Sequence, residues 1–187
     1  MNIYGKKVNL RAIEIEDQEF LRKMINDPEM EKLVVGYSFP VSKDQQLIWY
    51  KDNYNDSRNL RLIIESKNNE LIGYANLINI DLKNRSASHG LKIFDNNLRN
   101  KGYGTDSLMA IMKYAFEELQ LNRIESTIIE YNEPSKKLYT KKCGWTVEGI
   151  KRQSSFKQNK YHNELIIAIL KDDYLSLVNK TGYWNET

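Results

Sequence analysis

"LRNKGYGTDSL", residues 98–108, sets two glycines one residue apart at the mouth of an apolar, helix-periodic stretch. Glycine admits positive φ and lets a ligand come up against the main chain. A helix start behind such a turn offers unpaired N–H groups and the positive end of a dipole, which together suit an anion. The plainer alternative is a loop-to-helix turn without a ligand, because short glycine patterns recur by chance. The helix itself is well marked. In "GTDSLMAIMKYAFEEL", Leu108, Ile111, Met112, Ala115, Phe116 and Leu119 form one apolar stripe.

Outward from that helix, "SASHGLKIF" reads as the strand feeding the glycine turn and "RIESTIIE" as the strand that follows. The turn then lies at the C-terminal end of a strand in a strand–helix–strand unit, where ligand crevices of α/β sheets tend to open. Upstream, "LRLIIES" and "ELIGYANLINI" form a hairpin across "KNNE". "KKVNLRAI" alternates as a first strand, and "EDQEFLRKMIND" is a helix that Pro28 ends or kinks. "KLVVGYSFPV" has no period and reads as a loop; Ser42 and Gln45 fit a capping box opening the helix "KDQQLIWYKDNY". Downstream come a short helix with Pro134 in its first turn and two closing strands, "GWTVEGIKRQSSF" and "YHNELIIAIL". The tail around Tyr174, Leu175 and Val178 reads as a short surface helix. No repeat or linker divides the chain. The expectation is one α/β domain over residues 1–187, its mixed sheet mostly antiparallel.

Composition narrows the function classes. At 41% apolar and 28% charged, the 187 residues suffice for one sizeable core. A net charge of +3 without a basic run argues against nucleic-acid binding. No segment approaches the ~20 apolar residues of a membrane span. The first residues, "MNIYGKKVNLRAIEIED", lack the apolar core of a secretion signal, so the expected location is the cytoplasm. A single cysteine, Cys143, makes no internal disulfide and reads as a small core residue rather than a nucleophile. Two histidines and one cysteine show no metal-ligand spacing.

Arg99-Asn100-Lys101-Gly102-Tyr103-Gly104 resembles the Q/R-x-x-G-x-G/A acyl-CoA motif of the GNAT superfamily of N-acetyltransferases. "LRAIEIED", "NEPSKKLYTKKCGWTVEG" and "YHNELIIAIL" extend the likeness to the RimJ/RimL branch over nearly the whole chain. That resemblance implies a GNAT fold of about seven strands with a splayed central pair, acetyl-CoA as cosubstrate, and direct transfer to a primary amine in a ternary complex. It places the pyrophosphate on residues 99–104, with Thr105 beside it, and the pantetheine arm along backbone groups of Lys92, Ile93 and Phe94. Asn132 matches the family's asparagine, whose amide bonds the cofactor, with Ser135 close by; its alternative role is a helix N-cap. Tyr139 stands where the family often has the acid that protonates the departing thiolate; the alternative is a half-buried packing residue.

His89 stands where relatives carry a glutamate that draws a proton from the substrate ammonium; a strand histidine bonded to a carbonyl is the alternative. His162 lies where relatives have a histidine followed by an acid, here Asn163, and is either a wall of the acceptor site or strand packing. The acceptor is open between a protein N-terminus and a small molecule such as a polyamine, amino sugar or aminoglycoside. Polyamine enzymes of the branch carry paired glutamates where this chain reads "VVGYSFPVS", which lowers that option. Tyr37, Phe39, Trp49 and Tyr50 offer an aromatic acceptor wall instead, or Trp49 belongs to its helix's core stripe. A homodimer and a non-catalytic acyl-CoA-binding module are the remaining expectations.

Overall fold

The structure, a computed structural model, describes residues 2–36, 39–53 and 56–185. In chain order its elements are β1 (Ile3–Tyr4), β2 (Val8–Ala12), α1 (Gln18–Ile25), α2 (Pro28–Leu33), α3 (Lys43–Asp52), β3 (Leu60–Ser66), β4 (Leu71–Asp81), β5 (Ser86–Ile93), α4 (Tyr103–Lys113), β6 (Arg123–Ile129), α5 (Glu133–Lys136), β7 (Thr146–Lys157), β8 (Lys160–Leu170) and α6 (Lys171–Thr181). Among the described residues, eight strands make one sheet in the order β1-β2-β3-β4-β5-β6-β8-β7. The strand beyond the expected seven is β1, a two-residue edge piece too short to show a period.

Only β5 and β6 run parallel, and they pair over three residues, Ser86–Ser88 against Arg123–Glu125. Each strand continues, β5 to Ile93 with β4 and β6 to Ile129 with β8. The two halves of the sheet therefore diverge beyond Ser88, and a wedge opens between them. Helix α4 packs on one face beside Tyr139 and Trp145; on the other, Leu21, Met24 and Met30 gather round Ile63.

Several local expectations are met by their expected chemistry. The Ser42 side chain accepts from the Gln45 amide and the Gln45 side chain from the Ser42 amide, the reciprocal cap that starts α3. Pro28 acts differently from its sequence reading: it opens α2 behind an Asp27 N-cap instead of only closing α1. Proline has no N–H to lose in a first turn, so a second helix can start there. The tail helix α6 is more than a surface piece. Tyr174 is fully buried on it and donates its hydroxyl to Glu117 at 2.7 Å.

Candidate acyl-CoA cleft and active site

The glycine turn is built backwards from α4. Asn100 and Gly102 both take left-handed φ, +63° and +89°, and Gly102 is the N-cap of the helix. The amides of Tyr103, Gly104 and Thr105 then form a first turn that has no intrahelical acceptors. Behind them the buried Asp106 carboxylate accepts from the amides of Lys6, Lys7 and Val8 at 2.9, 2.6 and 3.0 Å, and from the Tyr183 hydroxyl at 2.7 Å. An acid in a first turn suits the helix dipole. Here its oxygens are occupied by the N-terminal hairpin and the C-terminal segment. Lys7 donates its ammonium to the Lys101 carbonyl at 3.0 Å, fixing the loop from the rear.

In front of the turn lies a cleft of about 290 Å³, reaching from Arg99, Gly102, Gly104 and Thr105 past Leu138 to Tyr139. Lys92, Arg99, Lys137 and Lys142 line it, and among the described residues no acid does. Free helix-start amides, a cationic rim and a narrow apolar channel fit a phosphate-bearing, extended thioester. Of the motif residues, Lys101 contributes backbone, and the Tyr103 ring packs against the core.

Two expected backbone contacts are corrected by the strand register. The Phe94 amide donates to the Ile72 carbonyl at 3.1 Å, and its ring stacks edge-on against Phe20, away from the cleft. The Lys92 carbonyl turns the same way, so close to Gly73 that a Cβ there would stand 1.9 Å from it. Backbone groups alternate in direction along a strand. Leu91 and Ile93 therefore face the wedge, and the Ile93 carbonyl accepts from the Arg99 guanidinium at 3.4 Å. No pattern within β5 marks Leu91 for this position, because pairing parity depends on β4. Asn132 lines the cleft with Ser135, but its amide is committed: Oδ1 accepts from the Ser135 amide at 3.2 Å, and Nδ2 donates to the Leu33 carbonyl at 2.8 Å. That is the N-cap alternative, with a second bond onto α2.

A larger chamber of about 590 Å³ adjoins the cleft, between Ser88 and Gly90 on β5 and Glu125, Ser126 and Thr127 on β6, with Val34 and Val35 as its cover. Leu91, Lys92, Asn132, Ser135 and Tyr139 border both spaces. Tyr139 is buried, packed edge-on against Trp145 with ring centroids 4.9 Å apart, and burial raises its phenol pKa far above the ordinary value. It keeps its proton at any physiological pH.

His89 is 5% exposed, its ring 6.0 Å from those of Tyr139 and Trp145. Nδ1 lies 2.7 Å from the Asn76 carbonyl, which makes it the protonated nitrogen, and the buried Nε2 has no partner among the described residues. Burial pulls the imidazole down to about 4. A base that weak lies about six pH units below an alkyl ammonium, so the structure argues against the titrating base expected from sequence. His162 is buried edge-on to Tyr131, 3.6 Å from Glu130, and borders neither space. Burial pushes the Cys143 thiol up to about 12, so it is a core thiol, not a nucleophile. The expected aromatic wall is not formed by Phe39, Trp49 or Tyr50, none of which borders the chamber; Tyr37 lies outside the described residues. Trp49 instead packs in the small core under α1.

Residues 7–146 match the family model described as acetyltransferase (GNAT) domain. The chain belongs to the GNAT acetyltransferases. It is an N-acetyltransferase that uses acetyl-CoA. Among curated relatives, the SPbeta prophage-derived uncharacterized N-acetyltransferase YokL of Bacillus subtilis is 24% identical over 91% of this chain and 93% of its own. The spermidine N(1)-acetyltransferase of Vibrio cholerae is 26% identical over 92% of this chain and 98% of its own. A crystal structure of the Vibrio cholerae spermidine N-acetyltransferase with CoA and spermine superposes with a TM-score of 0.84 at 26% identity, covering 90% of this acetyltransferase and 98% of that chain.

Proposed function

We propose that this acetyltransferase acetylates a small-molecule primary amine by direct attack in a ternary complex, with Tyr139 as the acid. The carrying observation is position: Tyr139 borders both the cationic cleft and the larger chamber, where thioester and amine must meet. Bound acetyl-CoA supplies the acyl thioester and leaves as a thiol once a proton reaches its sulfur. The first-turn amides of α4 hold the pyrophosphate, Leu91 and Ile93 pair with the pantetheine arm, and Lys137 and Lys142 face the outer phosphates. The Tyr139 hydroxyl holds the proton for the sulfur in a site where burial keeps it from ionising. The ammonium loses its proton to water in the open chamber, while His89 stays neutral and braces Tyr139.

The order of motifs along the chain supports placement in the RimJ/RimL branch. A small molecule is favoured over a protein N-terminus because the matched spermidine enzymes act on one. Val147, Ile150 and Phe156, exposed on the outer strand β7, support a homodimer, which sedimentation would read directly. For catalysis the test is Tyr139→Phe. Acetyl-CoA affinity should hold while turnover falls ~10²–10⁴-fold, the usual cost of losing one general acid. Unchanged turnover on an accepted amine would reduce Tyr139 to packing. Initial-rate patterns that intersect support the ternary complex, and parallel lines would overturn it.

A further inference from the structure

Ser88, Gly90 and Lys92 alternate with the core-facing residues of β5, and all three border the acceptor chamber. Lys92 also borders the cleft, as Tyr139 does. The other ionic groups of the chamber are matched within the protein. Glu125 accepts from Arg123 at 3.2 Å, and Lys151 lies 3.9 Å from Glu164. Lys92 differs. It is half-buried, and among the described residues its ammonium makes no hydrogen bond and no ion pair. Burial alone acts on its ammonium, pulling its pKa below the lysine value with nothing to offset it. An unpaired charge taken out of water is a standing cost unless a ligand supplies the counter-charge.

We propose that Lys92 selects the acceptor: the amine substrate carries an anionic group, carboxylate or phosphate, within a few bonds of the reacting nitrogen, and that group binds the Lys92 ammonium. This rests on the small-amine reading above and narrows it. A cation beside the reacting centre repels a polyammonium chain and attracts the acid end of an amino acid or aminoalkyl phosphate. At its neighbour Gly90 a side chain would crowd the Asn76 amide, 3.1 Å from where a Cβ would sit, so the strand stays bare there.

The test is a panel run with the full-length enzyme and acetyl-CoA: α- and ω-amino acids, their carboxamides, an aminoalkyl phosphate, and spermidine, with rates expressed per free amine. Acetyl-CoA binding is measured separately by calorimetry. The wild type should prefer an anion-bearing amine over its neutral counterpart by roughly tenfold or more, the worth of one charge-assisted hydrogen bond. The better of the carboxylate and phosphate arms identifies the anion. Lys92→Met should erase that ratio, whatever it does to acetyl-CoA affinity, and Lys92→Arg should restore part of it. If spermidine or the carboxamides are preferred, the inference fails while the small-amine reading stands, and the wild-type panel alone decides this. If Lys92→Met weakens acetyl-CoA binding and leaves the ratio intact, the ammonium serves the cofactor and the inference fails. If acetyl-CoA binds and no amine in the panel is acetylated, the small-amine reading falls and takes this inference with it.

Discussion

At the scale of single residues, the two histidines show how far identity is from role. His89 sits where sequence likeness expects a base, yet among the described residues its ring bonds to the Asn76 carbonyl alone, and burial holds it neutral down to about pH 4. Two consequences can be measured. The unfolded chain protonates this group near 6.5 and the native state near 4, so between those values the unfolded state binds more protons. Stability from His89 is therefore complete above about pH 6.5 and lost as the pH falls toward 4, by about 3 kcal/mol. Urea unfolding from pH 7 to 4 should show a steeper loss for the wild type than for His89→Gln, in which the carboxylate contributions are shared; equal slopes would place the imidazole in contact with water. In kinetics, the alkaline rise of kcat/KM should follow the pKa of the amine and ignore His89→Gln. A limb that vanishes in the variant would return the base role to His89. His162, by contrast, stands 3.6 Å from Glu130, just past the end of β6, so an acid lies beside it although position 163 is an asparagine.

Among elements, the glycine turn separates two requirements that its sequence merges. Gly102 is required for its backbone, with φ at +89° and Lys7 Nζ 3.2 Å from a would-be Cβ. Gly104 is required for the space in front of it. A Cβ there meets Leu138 at 3.4 Å and Ile93 at 3.8 Å, ordinary contact, while anything longer reaches into the cleft. Gly102→Ala should accordingly lower stability by ~1–2 kcal/mol, the left-handed penalty of an L-residue. Gly104→Val should unfold near the wild-type temperature and yet lose acetyl-CoA binding in calorimetry. Undiminished binding in Gly104→Val would move the pyrophosphate away from this turn. The helix behind the turn follows its apolar stripe, but it is buried on more than that stripe: Met109 and Ala110 are also covered. The C-terminal Tyr183 and Trp184 pack against the same core as α4, a covering that periodicity inside the helix does not register.

At the scale of the molecule, distant segments converge on the end of α2. The carbonyl of Glu31 accepts from Lys157 at 3.1 Å and that of Gly36 from the same ammonium at 2.5 Å. The Lys157 ammonium also pairs with the Glu31 carboxylate, Tyr131 donates to the Lys32 carbonyl, and Asn132 to that of Leu33. Helix C-terminal carbonyls have no partners of their own, so donors from β7 and the β6–α5 corner fix the segment that roofs both spaces. Lys157→Met should raise the acceptor KM and cost about 1–3 kcal/mol in urea unfolding, because it removes a buried ammonium that ties part-buried acceptors together. A KM that stays at the wild-type value would mean the roof is held without this lysine.

By itself the sequence determined what depends on neighbours along the chain: the hairpin of β3 and β4, the Ser42 cap, the stripe of α4, and the glycine turn that opens that helix. Those are local because capping, turn geometry and periodicity act over a few residues. Only the tertiary structure decided which groups face the cleft. The parity of β5 depends on β4, so Leu91 replaces Phe94 at the wedge. The proton affinity of His89 depends on how deeply Tyr139 and Trp145 bury it, and the lowered pKa of Lys92 depends on the burial that the fold imposes on it. Strand register, desolvation and charge pairing are set by residues far apart in the chain, so no window of sequence contains them.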